Sequence, residues 1–315
     1  ERCPGLPAPL AGRPTLDKIW SGPNGREDFA YRNRHYWRAM NMPEGPEIRR
    51  AADQIGDVLV GHNITRVRFG IPRLRRYAKA LVGHRVVEVE TRGKAMLTHF
   101  DHGYSIYSHN QLYGVWRVVS GHKLPKSSRS LRLLLQTDCH TALLYSASDI
   151  SVWPTEELVE HPFLARIGPD IMNSDLDWRA IAARLYQKPF HGRELYALYL
   201  DQAFLAGNGN YLRSEVLHDA GIHPRRRPDT LTRGEIGKLA RSTLAISRRS
   251  YQTGGITLAP RLAGSLEKQG MKREWRRFYV FGRTDQPCYH CGEPVQRSEA
   301  NTRRLYHCPN CQPAA

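Results

Sequence analysis

Residues 42–47 read Met42-Pro43-Glu44-Gly45-Pro46-Glu47. If the functional chain starts at Pro43, that residue presents a free secondary amine beside a carboxylate. An α-amino group titrates near 8, against about 10.4 for lysine, so roughly 10% of it is neutral at pH 7. Such an amine is a far better nucleophile towards a carbonyl or a sugar C1′ than an ordinary lysine. With the preceding residues attached, Pro43 is an amide without an amine. The Pro-Glu pair then reads as a helix start, where acidic residues favour the positive end of the helix dipole.

A second chemical signal lies near the other end. Cys288-x2-Cys291 is followed after sixteen residues by Cys308-x2-Cys311, the spacing of a four-cysteine zinc ribbon. Gly292 after the first pair and Pro309-Asn310 inside the second suit tight knuckles that aim paired thiolates at one metal. Four thiolates leave no open coordination position, so one structural Zn2+ is expected. Two disulfides are the competing reading, but Cys3 and Cys139 form no framework and no secretory signal is evident. His290 and His307, beside the cysteines, are expected at the surface.

The elements that must position these residues follow from charge and periodicity. Lys+Arg 47 against Asp+Glu 30 gives +17, which speaks for a polyanionic partner. Residues 225–283 hold fifteen Lys/Arg and four Asp/Glu, a concentration that favours a phosphate-contacting face over a merely solvated surface. No apolar run is long enough to span a bilayer. No Gly-x4-Gly-Lys-Ser/Thr loop points to a nucleotide cofactor, and none of the 14 histidines forms a His-Glu-x-x-His metal helix.

Residues 1–42 carry five prolines, four glycines and no sustained periodicity. They are expected to be disordered or absent from the mature protein. Pro46 then opens a helix with Ile48, Ala51 or Ala52, Ile55 and Leu59 on one face. Short β-type runs follow at 64–69, 86–91, 96–100, 104–108, 115–119, 131–136 and 142–146, suggesting a sandwich of two antiparallel sheets. After about Pro169 the period turns helical, at 178–186, 193–201 and 211–220, and Thr232-x-x-Glu235 is a capping box for a helix through Ile246. Ala206-Gly207-Asn208-Gly209-Asn210 is a glycine turn feeding a helix, which can offer backbone N–H groups to a phosphate or serve only as loop geometry.

Five of these motifs occur in one order: the Pro43 hexapeptide, Thr91-Arg92-Gly93-Lys94, Gln111-Leu112-Tyr113-Gly114, the turn within residues 201–213, and the ribbon. Together they resemble the endonuclease VIII branch of the formamidopyrimidine-DNA glycosylase family, over residues 43 to about 312. The resemblance implies an α+β protein in which a two-sheet antiparallel β-sandwich (43–168) precedes a helix–two-turn–helix module (169–279) and a zinc ribbon (280–315). It also implies damaged double-stranded DNA held in a cleft between the halves.

By the same resemblance Pro43 attacks C1′ and forms an iminium, while Glu44 donates or relays the proton that frees the base and opens the sugar. Glu47 supports the amine. Lys94 reaches the DNA backbone and assists β-elimination. Arg303, preferred to its neighbour Arg304 for its spacing to Cys308, grips phosphate and assists δ-elimination. Arg166 and Asn210 match DNA-contacting positions, and Asn210 also suits a helix cap. Gln111, Leu112 and Tyr113 match a wedge that fills the gap left by an extruded nucleotide, although as residues alone they also fit a strand end.

The implied activity is removal of oxidised pyrimidines with cleavage of the resulting abasic site, by a monomer in the cytoplasm at the nucleoid. Two alternatives stay open. One is an oxidised-purine glycosylase, and the other, should the extension be retained, is a non-catalytic zinc-dependent DNA-binding protein.

Overall fold

A computed structural model of the protein describes residues 43–300 and 303–314. The expected disorder or removal of residues 1–42 lies outside the described residues. The first helix, α1 (Gly45–Leu59), has Pro46 in its first turn, where a missing N–H costs nothing. It buries Ile48, Ala52, Ile55 and Leu59 at helical spacing, each no more than 2% exposed.

The chain divides into two compact units that are not contiguous in sequence. One comprises Asp53–Val89 and Thr98–Trp153; the other gathers Pro43–Ala52, Glu90–Leu97 and Pro154–Ala315. The first is a sandwich of two four-stranded sheets. Strands β1 (Arg66–Phe69), β5 (Val115–Ser120), β6 (Leu131–Gln136) and β7 (His140–Tyr145) pair antiparallel in the order β1-β6-β7-β5. The second sheet is the meander β2 (Val86–Arg92), β3 (Ala95–Phe100), β4 (Tyr104–His109), closed by β8 (Asp149–Pro154). Strand β7 is buried throughout, and Leu133, Leu134, Leu135, Leu143 and Leu144 are fully enclosed. Strand β8 was not among the runs expected from sequence, because its short Ile150/Val152 alternation follows directly on turn-type residues.

The second unit is mainly helical, with α2 (Trp178–Leu185), α3 (Asn210–Ala220), α4 (Arg233–Thr253) and α5 (Pro260–Lys268). The helix expected over 193–201 shrinks to one turn, Leu195–Leu198. Its first donors are drawn away: Leu195 N–H bonds the Arg226 carbonyl and Tyr196 N–H that of Pro224, both at 2.9 Å. The capping box forms as expected, with Glu235 N–H on Thr232 Oγ1 at 3.2 Å and Thr232 N–H on Glu235 Oε2 at 2.7 Å. Helix α4 runs on past Ile246, burying Ser247 and Ser250, until Gly254 closes it at φ 69°. Helix α5 was not anticipated.

The ribbon adds the antiparallel pair β9 (Gln296–Ala300) and β10 (Arg303–His307). No helix among the described residues is long and apolar enough to cross a membrane.

Candidate active site and metal centre

Helix α3 is buried on nearly every side, so its N-terminal donors have little access to water. Gly209, which precedes it, supplies no side-chain cap. The carboxylate of Glu44 does so instead, accepting from the N–H of Tyr211 at 2.9 Å and of Leu212 at 3.2 Å. Two otherwise unpaired donors are satisfied, and a negative charge sits at the positive end of a helix. A β-carbon at Gly209 would lie 2.2 Å from the Glu44 carboxyl carbon, so the turn needs glycine for space rather than for φ.

Glu47 takes the helix-start role expected of an acidic residue here, accepting from the Glu44 N–H at 3.1 Å. It also accepts from the Tyr211 hydroxyl at 3.0 Å, and that hydroxyl contacts Ser250 Oγ at 2.9 Å. Pro43, half-buried, is the residue next to this paired carboxylate.

Lys94 arrives on the two-residue turn between β2 and β3. Gly93 adopts φ 64°, and its N–H donates to Asp170 Oδ2 at 2.7 Å. Gly45 N–H donates to the Gly207 carbonyl at 2.8 Å, so the α1 start and the glycine turn meet backbone to backbone. Arg303 begins β10, and the carbonyl of its neighbour Arg304 accepts from Arg213 Nη2 at 2.9 Å. Arg213 is fully buried; it also donates to the Tyr196 carbonyl at 2.9 Å and to Asn210 Oδ1. Asn210, the first helical residue, therefore positions a guanidinium within the protein. Farther along α3, buried Glu215 accepts from the N–H groups of Tyr279 (2.7 Å), Val280 and Phe281 (both 2.9 Å), fastening the segment that leads to the ribbon.

The charges of Glu44, Glu47, Lys94 and Arg303 act on one another. Burial pushes the Glu44 carboxyl up to about 7, reinforced by Glu47 and opposed by Lys94 and the two helix donors. Burial likewise lowers Lys94 from its ordinary value; Glu44 opposes this and Arg303 adds to it. Glu47 is raised by burial, with Arg277 opposing. A buried carboxyl poised near neutrality, beside an amine held below its usual range, is suited to proton transfer.

Gln111, Leu112 and Tyr113 belong to the sandwich unit and form a turn between β4 and β5. Gln111 has φ 50°, uncommon for a residue with a side chain. Leu112 is 53% exposed and Tyr113 67%. The turn is held from behind by Ser148 Oγ on Gln111 Oε1 at 2.7 Å and Arg129 on the Tyr113 carbonyl at 2.9 Å. Two large apolar side chains on a braced, strained turn are a costly display that core packing does not account for. Arg166 closes a separate exposed turn, its Nε donating to the Pro162 carbonyl at 2.7 Å.

The four ribbon cysteines are free, and their sulfurs all lie within 4.8 Å of one another. Cys291 and Cys308 are 3.4 Å apart and Cys288 and Cys311 3.8 Å. Zinc–sulfur bonds of 2.3 Å give tetrahedron edges of about 3.8 Å, whereas a disulfide needs about 2.05 Å. The donor set therefore fits one tetrahedral metal. Cys139, in the sandwich unit, is no member of this cluster.

The metal knuckle is tied to α3. His218 Nε2 lies 3.6 Å from Cys288 Sγ, and the buried Gln312 amide joins Cys308 N–H (3.0 Å) to the Ile222 carbonyl (2.9 Å). His307, expected at the surface, is buried and packs edge-on against His223.

Comparison with known proteins identifies the family. The profile of the formamidopyrimidine-DNA glycosylase N-terminal domain matches residues 42–148, and that of the H2TH domain of the same enzymes matches 167–261. Endonuclease 8 of Enterobacter sp. (strain 638) is 45% identical over 271 residues, 86% of this chain and all of the relative. Endonuclease 8 of Escherichia coli O17:K52:H18 (strain UMN026 / ExPEC) matches to the same extent. The chain belongs to the endonuclease VIII branch of the formamidopyrimidine-DNA glycosylase family. It is thus a DNA glycosylase and abasic-site lyase of base excision repair.

The fold of this glycosylase is also that of Lactococcus lactis Fpg bound to DNA containing N7-benzyl-Fapy-dG, with TM-score 0.72 at 22% identity, covering 86% of this chain and 100% of that one. A complex of the same enzyme with DNA containing an oxidised pyrimidine superposes equally well, with the same identity and coverage. Sequence reading missed Tyr211, Arg213, Glu215 and Asp170 in this site. The visible signal was a run of polar and charged residues inside a helix that the glycine turn introduces.

Proposed function

We propose that this glycosylase removes oxidised pyrimidines from double-stranded DNA and cleaves the abasic site by β,δ-elimination, with the amine of Pro43 as nucleophile. That amine exists once the chain begins at Pro43. The nitrogen attacks C1′, the glycosidic bond breaks towards the base, and ring opening leaves an iminium. Loss of a C2′ proton then expels the 3′ phosphate, and further elimination expels the 5′ phosphate. The observation that carries this reading is the buried Glu44 carboxyl, adjoining Pro43 and held by the N–H groups of Tyr211 and Leu212; burial there pushes it up to about 7, in keeping with proton transfer near physiological pH. Lys94 serves as the partner in β-elimination and Arg303 as the phosphate grip for δ-elimination, with the Arg303 charge helping to hold Lys94 below its ordinary value.

The pyrimidine preference rests on the 45% identity to proteins named endonuclease 8, against 22% to the Fpg enzyme. Zinc in the ribbon would be held by Cys288, Cys291, Cys308 and Cys311 and would fix the hairpin that carries Arg303. Leu112, with Gln111 and Tyr113, fills the gap left by the extruded nucleotide, and by the family resemblance Arg166 and Asn210 match DNA-contacting positions. The enzyme acts as a monomer on chromosomal DNA in the cytoplasm and needs no nucleotide cofactor.

Borohydride reduction on DNA carrying an oxidised pyrimidine tests the reading, because only an imine or iminium is trapped. A protein–DNA adduct at Pro43, on chains whose N-terminus is Pro43, is expected. An active enzyme that retains residues 1–42, or an adduct at a lysine, would refute the amine mechanism. Faster excision of oxidised purines would assign the lesion class to the alternative.

A further inference from the structure

A second group of metal-type ligands lies in the sandwich unit, on residues that the repair chemistry does not use. His84 precedes β2, and Asp101 and His102 form the turn between β3 and β4. Asp101 N–H donates to the Arg85 carbonyl at 3.0 Å, clamping the two turns together. The rings of His84 and His102 stack with centroids 3.7 Å apart at 19°. Asp101 Oδ1 is 3.1 Å from His84 Nδ1 and 3.9 Å from His102 Nδ1. One ligand atom from each residue falls within 4.8 Å of the others.

The decisive feature is His102. Both its ring nitrogens are shielded from solvent and have no hydrogen-bond partner. Buried polar atoms are nearly always paired, and each orphan costs about 1–3 kcal/mol. Two on one ring call for a missing partner. Phe100 and Tyr104 pack around that ring, at 5.9 and 5.3 Å between centroids, and supply none.

We propose that His84, Asp101 and His102 form a binding site for a divalent transition-metal ion of the zinc, cobalt or nickel type, separate from the ribbon. Two imidazoles and a carboxylate suit such ions, and three protein ligands leave coordination positions for water. Neighbouring ligand atoms around a zinc with bonds of 2.0–2.1 Å stand about 3.4 Å apart, between the 3.1 and 3.9 Å separations here. Magnesium and calcium are disfavoured because they prefer oxygen donors. Ring lone pairs lie in the ring planes, so the stacked imidazoles splay as the ion enters. The exposed Asp101 at the turn leaves room for that movement.

The test uses the full chain with zinc in its ribbon and Co2+ as the probe. Uptake of one cobalt per chain is expected, with ligand-field bands but no thiolate charge-transfer band, and without loss of the ribbon zinc. His102→Phe keeps a ring in the stack and removes both nitrogens; together with Asp101→Asn and His84→Phe it should abolish this uptake. Thermal unfolding with the ribbon zinc retained verifies that the variants are folded. Absence of uptake, uptake only with thiolate bands, or unchanged uptake in all three folded variants would overturn the assignment.

Discussion

The carboxyl carbon of Glu44 occupies the place where a side chain at Gly209 would begin, 2.2 Å from the ideal β-carbon position. The carboxylate can reach the N-terminus of α3 only because residue 209 has no side chain. Gly209→Ala should therefore displace Glu44 while leaving the zinc content unchanged. Single-turnover base release should fall on the order of 10²-fold, the usual effect of misplacing a reacting group by about an ångström. Release at the wild-type rate would disprove the coupling.

Glu44→Gln should slow base release about 10²–10⁴-fold, the range for a lost general acid, while activity on a preformed abasic site largely survives. Parallel rate measurements on the two substrates decide it, and equal losses would remove Glu44 from the base-release step.

The same residue leaves a mark on stability. A carboxyl with its folded pKa raised to about 7 binds its proton more tightly in the native state. Its contribution is complete at low pH and is lost as pH rises from its ordinary value through about 7. The span is worth on the order of 3 kcal/mol. Denaturation between pH 5 and pH 8 should show a smaller loss for Glu44→Gln than for the wild type. Glu47 and Glu215, also raised by burial, contribute with the same sign.

Zinc removal, or Cys308→Ser, should loosen β9–β10 and free Arg303, weakening DNA binding while the sandwich stays folded, because metal-ligand bonds supply much of a small ribbon's folding energy. His218→Phe, which removes the contact to Cys288 Sγ, should accelerate zinc loss to a chelator, in keeping with outer-shell partners being worth 10–100-fold in affinity. Metal analysis and binding assays read both effects. Full DNA affinity in a verified zinc-free protein would separate Arg303 from the ribbon.

Phosphate grip and wedge can be told apart by salt. Arg303→Ala and Lys94→Ala should each flatten the slope of log affinity against log salt by about one unit. Leu112→Ala removes no charge and should leave that slope unchanged, with its defect in excision greatest on paired DNA and least where the target base is unpaired. Equal defects on paired and single-stranded lesions would return Leu112 to the role of an ordinary turn residue.

Much of this protein was written locally in the chain. Cysteine spacing foretold a four-thiolate cluster, the Thr232/Glu235 pair a helix start, and alternating apolar runs most of the sandwich strands, because each depends on neighbours a few residues apart. What tertiary structure decided involves partners far apart in sequence. Glu44 looked like the start of its own helix, yet its carboxylate caps α3, 167 and 168 residues away. The 193–201 segment had helical spacing but surrendered its first donors to carbonyls of Pro224 and Arg226. Nothing in the local sequence singled out Arg213 and Glu215, and burial made them the ties that hold the ribbon strand and the segment before it. The compact units themselves cut across sequence order, since α1's first turns and the Lys94 hairpin tip join the helical unit. Residue type and spacing set which groups can react; only packing sets which are desolvated together, and desolvation is what moves their proton affinities.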